Sequence, residues 1–252
     1  MSQYRMSHVP PLLDFERLQH VCATCSLREL CLPAGLQGEA LEAVERIVQH
    51  HHAVPRGAFL YRSGAPLHSL YAVRAGVLKS AVLHEDGREQ IAGFHMTGDL
   101  VGMDGISAGR HVCDVAALED SEVCEIPFVT LETLSREIPA LQQHFHRIMS
   151  REIVRDYHLM LLLGNMRAEE RVAAFILNLS QRLSARGYSG SEFHLRMTRE
   201  EIGAYLGLKL ETISRVFSRF EEEGLLDVQN KRICILKEGA LRALVGSPAS
   251  SR

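Results

Sequence analysis

Met197-Thr198-Arg199-Glu200-Glu201-Ile202-Gly203-Ala204-Tyr205-Leu206-Gly207, followed by Leu208-Lys209-Leu210-Glu211-Thr212-Ile213-Ser214-Arg215-Val216-Phe217-Ser218-Arg219-Phe220, is the stretch whose reading settles the fold. Thr198 with Glu201 three residues on is a capping box, so a helix begins there. Gly207 supplies a tight turn, and the run after it collects Ile213, Val216, Phe217 and Phe220 on one helical face. Helix, short glycine turn and second helix make a helix-turn-helix. Leu225 to Leu236 then reads as two short strands around Gln229-Asn230-Lys231, which completes a winged helix. In such a unit the second helix offers its early residues to major-groove base edges. The open face carries Glu211, Thr212, Ser214, Arg215 and Arg219. Arginine can donate twice to guanine, glutamate can accept from cytosine, and hydroxyls serve bases or phosphates. Double-stranded DNA is therefore the expected partner, with a merely solvated helix face as the alternative.

Upstream, Pro139 opens a long helix, where a first-turn proline is tolerated because its missing N–H would be unpaired anyway. One stripe along it holds His146, Met149, Ile153, Asp156, Met160 and Leu163 at the spacing of a coiled-coil seam. A second stripe, Leu141, Phe145, Ile148, Glu152, Arg155 and Leu159, is also partly apolar, so the helix is expected to touch both its own domain and a partner copy. Asp156 in a two-fold seam would face its equivalent and weaken the pairing; pairing with Arg155 or Arg151 is the bland alternative. Met149, Ile153, Asp156 and Met160 form the expected switch. Farther upstream, from Val54 to Pro127, β-prone runs alternate with glycine turns, the pattern of a sandwich or jelly roll. Gly38 to Val48 reads as a short amphipathic helix.

A chain of 252 residues accommodates two compact domains. The net charge of −3 is unevenly spread: residues 1–164 hold 14 Lys/Arg against 20 Asp/Glu, and residues 165–252 hold 14 against 11. The basic portion coincides with the winged helix, as a polyanion partner requires. The N-terminus lacks an apolar signal core and the longest aliphatic run, Leu159 to Leu163, cannot span a bilayer, so a cytoplasmic location without membrane attachment is expected. His50-His51-His52 and 13 histidines invite a hydrolase reading, but no H-E-x-x-H, nucleophile elbow or Walker loop accompanies them. No enzyme activity is expected.

Three cysteines, Cys22, Cys25 and Cys31, stand within ten residues. In a reducing cytosol such a cluster points to metal or redox chemistry rather than disulfides. Spacing alone leaves a zinc knot and an iron–sulfur cluster both open. Cys234, in the wing, reads as a small core residue.

Leu70-Tyr-Ala-Val-Arg-Ala-Gly-Val-Leu-Lys79 and Phe94-His-Met-Thr-Gly-Asp-Leu-Val-Gly102 resemble the β-roll of cyclic-nucleotide-binding-like sensor domains. Nucleotide-binding members carry a Glu after the Gly-Asp-Leu turn and an Arg-Ser/Thr pair beyond it, which grip the phosphate. Here Met103 and Cys113-Asp114 stand near those places, and Arg110 has no hydroxyl residue after it. Roll, long helix and winged helix together are similar to the CRP/FNR family of bacterial regulators. Within it the chain most resembles the FNR/ANR oxygen-sensing branch, through Cys-x2-Cys-x5-Cys, Gln90-Ile-Ala-Gly-Phe-His95, Val123-Cys-Glu-Ile-Pro-Phe128 and Leu206-Gly-Leu-Lys-Leu-Glu-Thr-Ile-Ser-Arg215.

The resemblance implies an α+β chain with a cysteine-rich segment (1–37), a β-roll sensor (38–135), a dimerisation helix (136–164) and a winged helix-turn-helix (165–252). It implies a [4Fe-4S] cluster on Cys22, Cys25, Cys31 and Cys124, a homodimer when that cluster is intact, and binding of TTGAT-type half-sites through Glu211, Ser214 and Arg215. RNA polymerase would be met by roll loops, the Glu85-Asp86-Gly87-Arg88 turn among them. Cys113 departs from the family pattern and is open as a buried bystander, a competing ligand or a redox thiol. A regulator of this fold that senses another ligand without a cluster is the standing alternative.

Overall fold

Chain order alone explains much of the architecture of the computed structural model, which describes residues 22, 25–48, 51–83, 87 and 89–246. A single helical turn, Arg28–Leu30, precedes α1 (Gly38–Ile47), whose Leu41, Val44 and Ile47 face inward. Eight strands follow: β1 (His51–Val54), β2 (Phe59–Tyr61), β3 (Ser69–Ala75), β4 (Val77–Leu83), β5 (Glu89–Met96), β6 (Leu100–Val101), β7 (Asp114–Ala117) and β8 (Ser121–Pro127). They form two four-stranded sheets, ordered β1-β8-β3-β6 and β2-β7-β4-β5, with every neighbouring pair antiparallel. Val54, Val73, Leu78, Val101, Val115 and Val123 fill the space between the sheets. The β3–β4 turn demands Gly76: at φ 83° a Cβ there would stand 2.2 Å from the Ser121 hydroxyl. Strands β1 and β6 were not anticipated from sequence, and a helix, α2 (Phe128–Glu137), follows the last strand.

The long helix α3 (Pro139–Asn165) has two faces. Leu141 and Ile148 are buried against α1, α2 and the roll, with Phe145, Glu152, Arg155 and Leu159 half-buried on the same side. The winged helix then comprises α4 (Ala168–Ser184), β9 (Glu192–His194), α5 (Arg199–Leu206), α6 (Leu210–Glu222), β10 (Leu226–Gln229), β11 (Arg232–Ile235) and α7 (Glu238–Val245). The wing has three strands in the order β10-β11-β9, one more than the sequence pattern suggests. Cys234 lies on β11 only half-buried; the core residue there is its neighbour Ile233, because alternation turns adjacent side chains to opposite faces. The winged helix packs on the β4–β5 hairpin, where Ala81, Ile91, Phe94 and Met96 share one core with Val172, Phe175, Ile176 and Ile202. Among the described residues no helix is long and apolar enough to cross a membrane.

Candidate functional site

The reading helix is built as its sequence dictates. The Thr198 hydroxyl accepts from the Glu201 N–H at 3.1 Å, and the Glu201 carboxylate accepts from the Thr198 N–H at 2.7 Å, closing the capping box. Gly207 takes the left-handed conformation that ends α5 (φ 63°), and α6 starts three residues later. Ile213, Val216, Phe217 and Phe220 are buried, which turns Glu211, Ser214 and Arg215 outward and leaves Thr212 half-buried. Glu211 and Arg215 are one turn apart on the exposed face, next to the helix N-terminus. Arg219 differs from them. It lies a turn farther on, and its guanidinium already bridges Glu223 at 2.7 Å and Glu169 at 3.1 Å.

All six cysteines are free thiols. Cys22, Cys25, Cys31 and Cys124 line one small cavity together with Leu27, Leu32, Val44, Val48, Ile126, Arg28 and Arg74. Register brings Cys124 there: on β8 it pairs with Ala72 of β3 on one side and His51 of β1 on the other. Burial pushes the Cys22 and Cys124 thiols up to about 11 and the Cys31 thiol to about 12, and the nearby thiols add to each shift. Among the described residues no three His, Cys, Asp or Glu side chains gather round a point that one metal ion could take. Four thiols on one cavity are a donor set of the kind that soft metal centres use, zinc and iron–sulfur alike. Sequence reasoning overlooked the basic wall. Arg28 donates to the Leu36 carbonyl, and Arg74 pairs with Glu122 at 2.9 Å beside His51, whose Nε2 stands 3.9 Å from the Cys124 sulfur. His51 was noticed in sequence only as part of a histidine run, because β1 has no clean alternation to mark it as a strand.

Cys113 is elsewhere, in the roll interior. Its thiol donates to Asp104 at 3.3 Å, and the same carboxylate takes the Tyr61 hydroxyl at 3.1 Å and the His111 ring at 3.2 Å. Burial and Asp104 push this thiol up to about 12, which favours its protonated form. The polar network occupies the region where Met103, Arg110 and Cys113-Asp114 stand in for phosphate-gripping residues. Arg110 itself is exposed and donates to the Gly64 carbonyl at 2.8 Å.

The outer face of α3 is open. Ile153, Tyr157, Met160 and Leu161 are 51–59% exposed, a continuous apolar strip, while Met149 is half-buried. Asp156 stands in the strip, exposed, with no ion-pair partner among the described residues; Arg155 is taken by Glu152 on the inner side. The His144 ring, on α3, donates to the Cys31 carbonyl at 3.1 Å and so ties this helix to the cysteine segment. Of the Glu85-Asp86-Gly87-Arg88 turn, all but Gly87 lies outside the described residues, as does His50.

Comparison with known proteins matches both halves. A Crp-like helix-turn-helix domain model covers residues 170–244, and a cyclic nucleotide-binding domain model covers residues 51–137. The chain is 48% identical over 225 residues to the fumarate and nitrate reduction regulatory protein of Escherichia coli (strain K12), spanning 89% of this chain and 90% of that one. It is 46% identical over 225 residues to the transcriptional regulatory protein btr of Bordetella pertussis, spanning 89% and 93%. Among solved structures, FixK2 from Bradyrhizobium japonicum is similar with a TM-score of 0.74 at 30% identity, covering 79% of this chain and 98% of that one.

Proposed function

We propose, for a chain that belongs to the CRP/FNR family of transcription regulators, that it is an oxygen-responsive cytoplasmic regulator of the anaerobic response whose dimer binds TTGAT-type inverted repeats and engages RNA polymerase. The observation that carries this reading is the single cavity shared by Cys22, Cys25, Cys31 and Cys124. The donor set fits a [4Fe-4S] cluster, which when bound would supply an oxygen-labile tie among four thiolates. Burial favours the protonated thiols of Cys22, Cys31 and Cys124, and ligation would release those protons. Arg28 and Arg74 offset the negative charge that four thiolates bring, and Leu27, Leu32, Val44 and Ile126 exclude water from the cavity.

Ordering of the cysteine segment reaches α3 through the His144–Cys31 hydrogen bond. Met149, Ile153 and Met160 then pack across a two-fold axis, and Asp156 keeps that packing marginal. A dimer places two α6 helices on successive major-groove faces, where Glu211, Thr212, Ser214 and Arg215 read base edges and Arg219 steadies the helix or a phosphate.

The test is an anaerobic absorption spectrum with iron and sulfide analysis. The wild-type protein is expected to be brown, to hold near-stoichiometric iron and sulfide, and to bleach in air. Cys124→Ala should abolish the colour, whereas Cys113→Ala should keep it. A colourless anaerobic protein that carries only zinc would reject the reading. Loss of colour in Cys113→Ala with retention in Cys124→Ala would reassign the fourth ligand.

A further inference from the structure

Besides the His144 hydrogen bond to α3, the cysteine segment packs on a turn of the roll. Leu30, the residue before Cys31, packs on Gly98 so closely that a Cβ on Gly98 would stand 2.8 Å from the Leu30 Cβ. Gly98 is in the left-handed region (φ 89°), so both the backbone and the contact require glycine there. The Thr97-Gly98-Asp99 turn is also bolted to β3: the Gly98 N–H donates to the Val73 carbonyl at 2.7 Å, and the Val73 N–H donates to the Asp99 carbonyl at 2.9 Å. Val73 itself lines the thiol cavity. Thus two separate contacts join the cavity wall to one turn.

That turn grips the DNA-binding unit. The Asp99 carboxylate takes Arg182 of α4 at 2.5 Å and Arg186, in the turn just past the end of α4, at 2.6 Å, and its Oδ2 also accepts the Met96 N–H at 2.8 Å. Arg182 donates as well to the Phe94 carbonyl at 2.8 Å, and Arg186 to the Thr97 carbonyl at 2.6 Å. Burial works against a charge on Asp99, but the Arg182 and Arg186 guanidiniums outweigh it and hold the carboxyl below its usual range. Fixed, bidentate-capable guanidiniums on a buried carboxylate impose geometry as well as attraction. A small displacement of Asp99 must therefore move α4 or break the pairing.

We propose that the Thr97-Gly98-Asp99 turn is a transmission element, with Asp99 as its positioning residue: through Leu30 on one side and Arg182 and Arg186 on the other, it carries the state of the cysteine segment to the winged helix within one protomer, independently of the α3 seam. The inference rests on the reading of the cysteine cavity given above. A device of this kind sets the orientation of α6 relative to the roll, so that dimerisation and DNA presentation are controlled by separate contacts. Coupling between sites in proteins is commonly worth about 5- to 150-fold in an equilibrium constant.

The experiment uses the full chain, anaerobically loaded or air-exposed, with iron and sulfide measured and amide hydrogen exchange followed by mass spectrometry. In the wild type, loss of the cluster is expected to speed exchange at least about fivefold in peptides covering residues 94–101 and 178–187. Two variants then break the path at opposite ends: Leu30→Ala and the double variant Arg182→Gln with Arg186→Gln. Both are expected to stay brown and dimeric when loaded, to retain the state-dependent exchange change in α3, and to lose it at residues 178–187. Unchanged wild-type exchange at 178–187 in a protein that demonstrably gains and loses its cluster overturns this inference alone. So does an undiminished difference in both variants. A colourless, iron-free anaerobic protein overturns the cavity reading and this inference with it.

Discussion

Replacing Asp156 by alanine should turn the open face of α3 into a constitutive dimer interface. Ile153, Tyr157, Met160 and Leu161 are each a little over half exposed. Full burial of such side chains is worth about 1.5–3 kcal/mol, so covering what is still exposed yields about 1 kcal/mol apiece, or about 8 kcal/mol for two protomers. Association costs on the order of 4–15 kcal/mol in lost freedom, which leaves the seam close to balance. Two facing carboxylates at about 4 Å oppose each other by about 1 kcal/mol in water and about 4 kcal/mol at a partly shielded surface. Asp156 has no ion-pair partner among the described residues to soften that term, since Arg155 is engaged by Glu152. Removing the charge should therefore tighten the monomer–dimer constant by roughly 5-fold to roughly 1000-fold, at 1.4 kcal/mol per decade. Sedimentation velocity of air-exposed protein measures this directly, and Asp156→Asn, which keeps the shape, should follow Asp156→Ala. If both variants in air show the wild-type constant, the repulsion argument is wrong and the strip is held apart by something else.

What the sequence made legible follows the range of the interactions concerned. The reading helix rests on local terms: the Thr198–Glu201 capping box, a left-handed Gly207 and a helical period of buried Ile213, Val216, Phe217 and Phe220. The two faces of α3 were legible for the same reason, because two apolar stripes on one helix require two surfaces. Strands β1 and β6 were not: β6 is two residues long, and β1 presents one buried residue in four. Strand β9 has only Phe193 to mark it. Missing β1 hid the place of His51, and with it the strand register that sets Cys124 between His51 and Ala72. The Asp99–Arg182–Arg186 cluster was invisible because Asp99 lies more than eighty residues from either arginine, and its turn motif says nothing of a partner so distant. Arg219 shows the converse limit: periodicity places it on the open face, but only the fold reveals that Glu169 of α4 and Glu223 already hold it.

Two further outcomes test the remaining sites. Arg215→Ala should keep α6 folded, because its buried face is untouched, while lowering discrimination between a TTGAT duplex and one with the guanine pair changed by about 1–3 kcal/mol, roughly 5- to 150-fold. Fluorescence anisotropy at fixed salt reads this, and undiminished discrimination would remove Arg215 from base recognition. His95 supplies a pH test. Its ring is buried in the roll, with Nε2 at 2.9 Å from the Ser80 hydroxyl and Nδ1 without a hydrogen-bond partner among the described residues, and burial followed by Arg155 pushes its pKa down from 6.5 to about 3. The folded chain therefore binds no proton there between pH 6.5 and 3, whereas the unfolded chain does. Stability should fall as pH drops below 6.5, at up to about 1.4 kcal/mol per pH unit from this group. Asp99 and Asp104, held below the carboxylate reference of 3.8, act in the same direction only near and below that pH. Urea melts of wild type and His95→Gln between pH 6.5 and 4.5 should accordingly diverge in slope, the variant losing less on acidification. Parallel curves would mean that His95 gains a proton partner inside the fold, and the buried neutral ring would have to be abandoned.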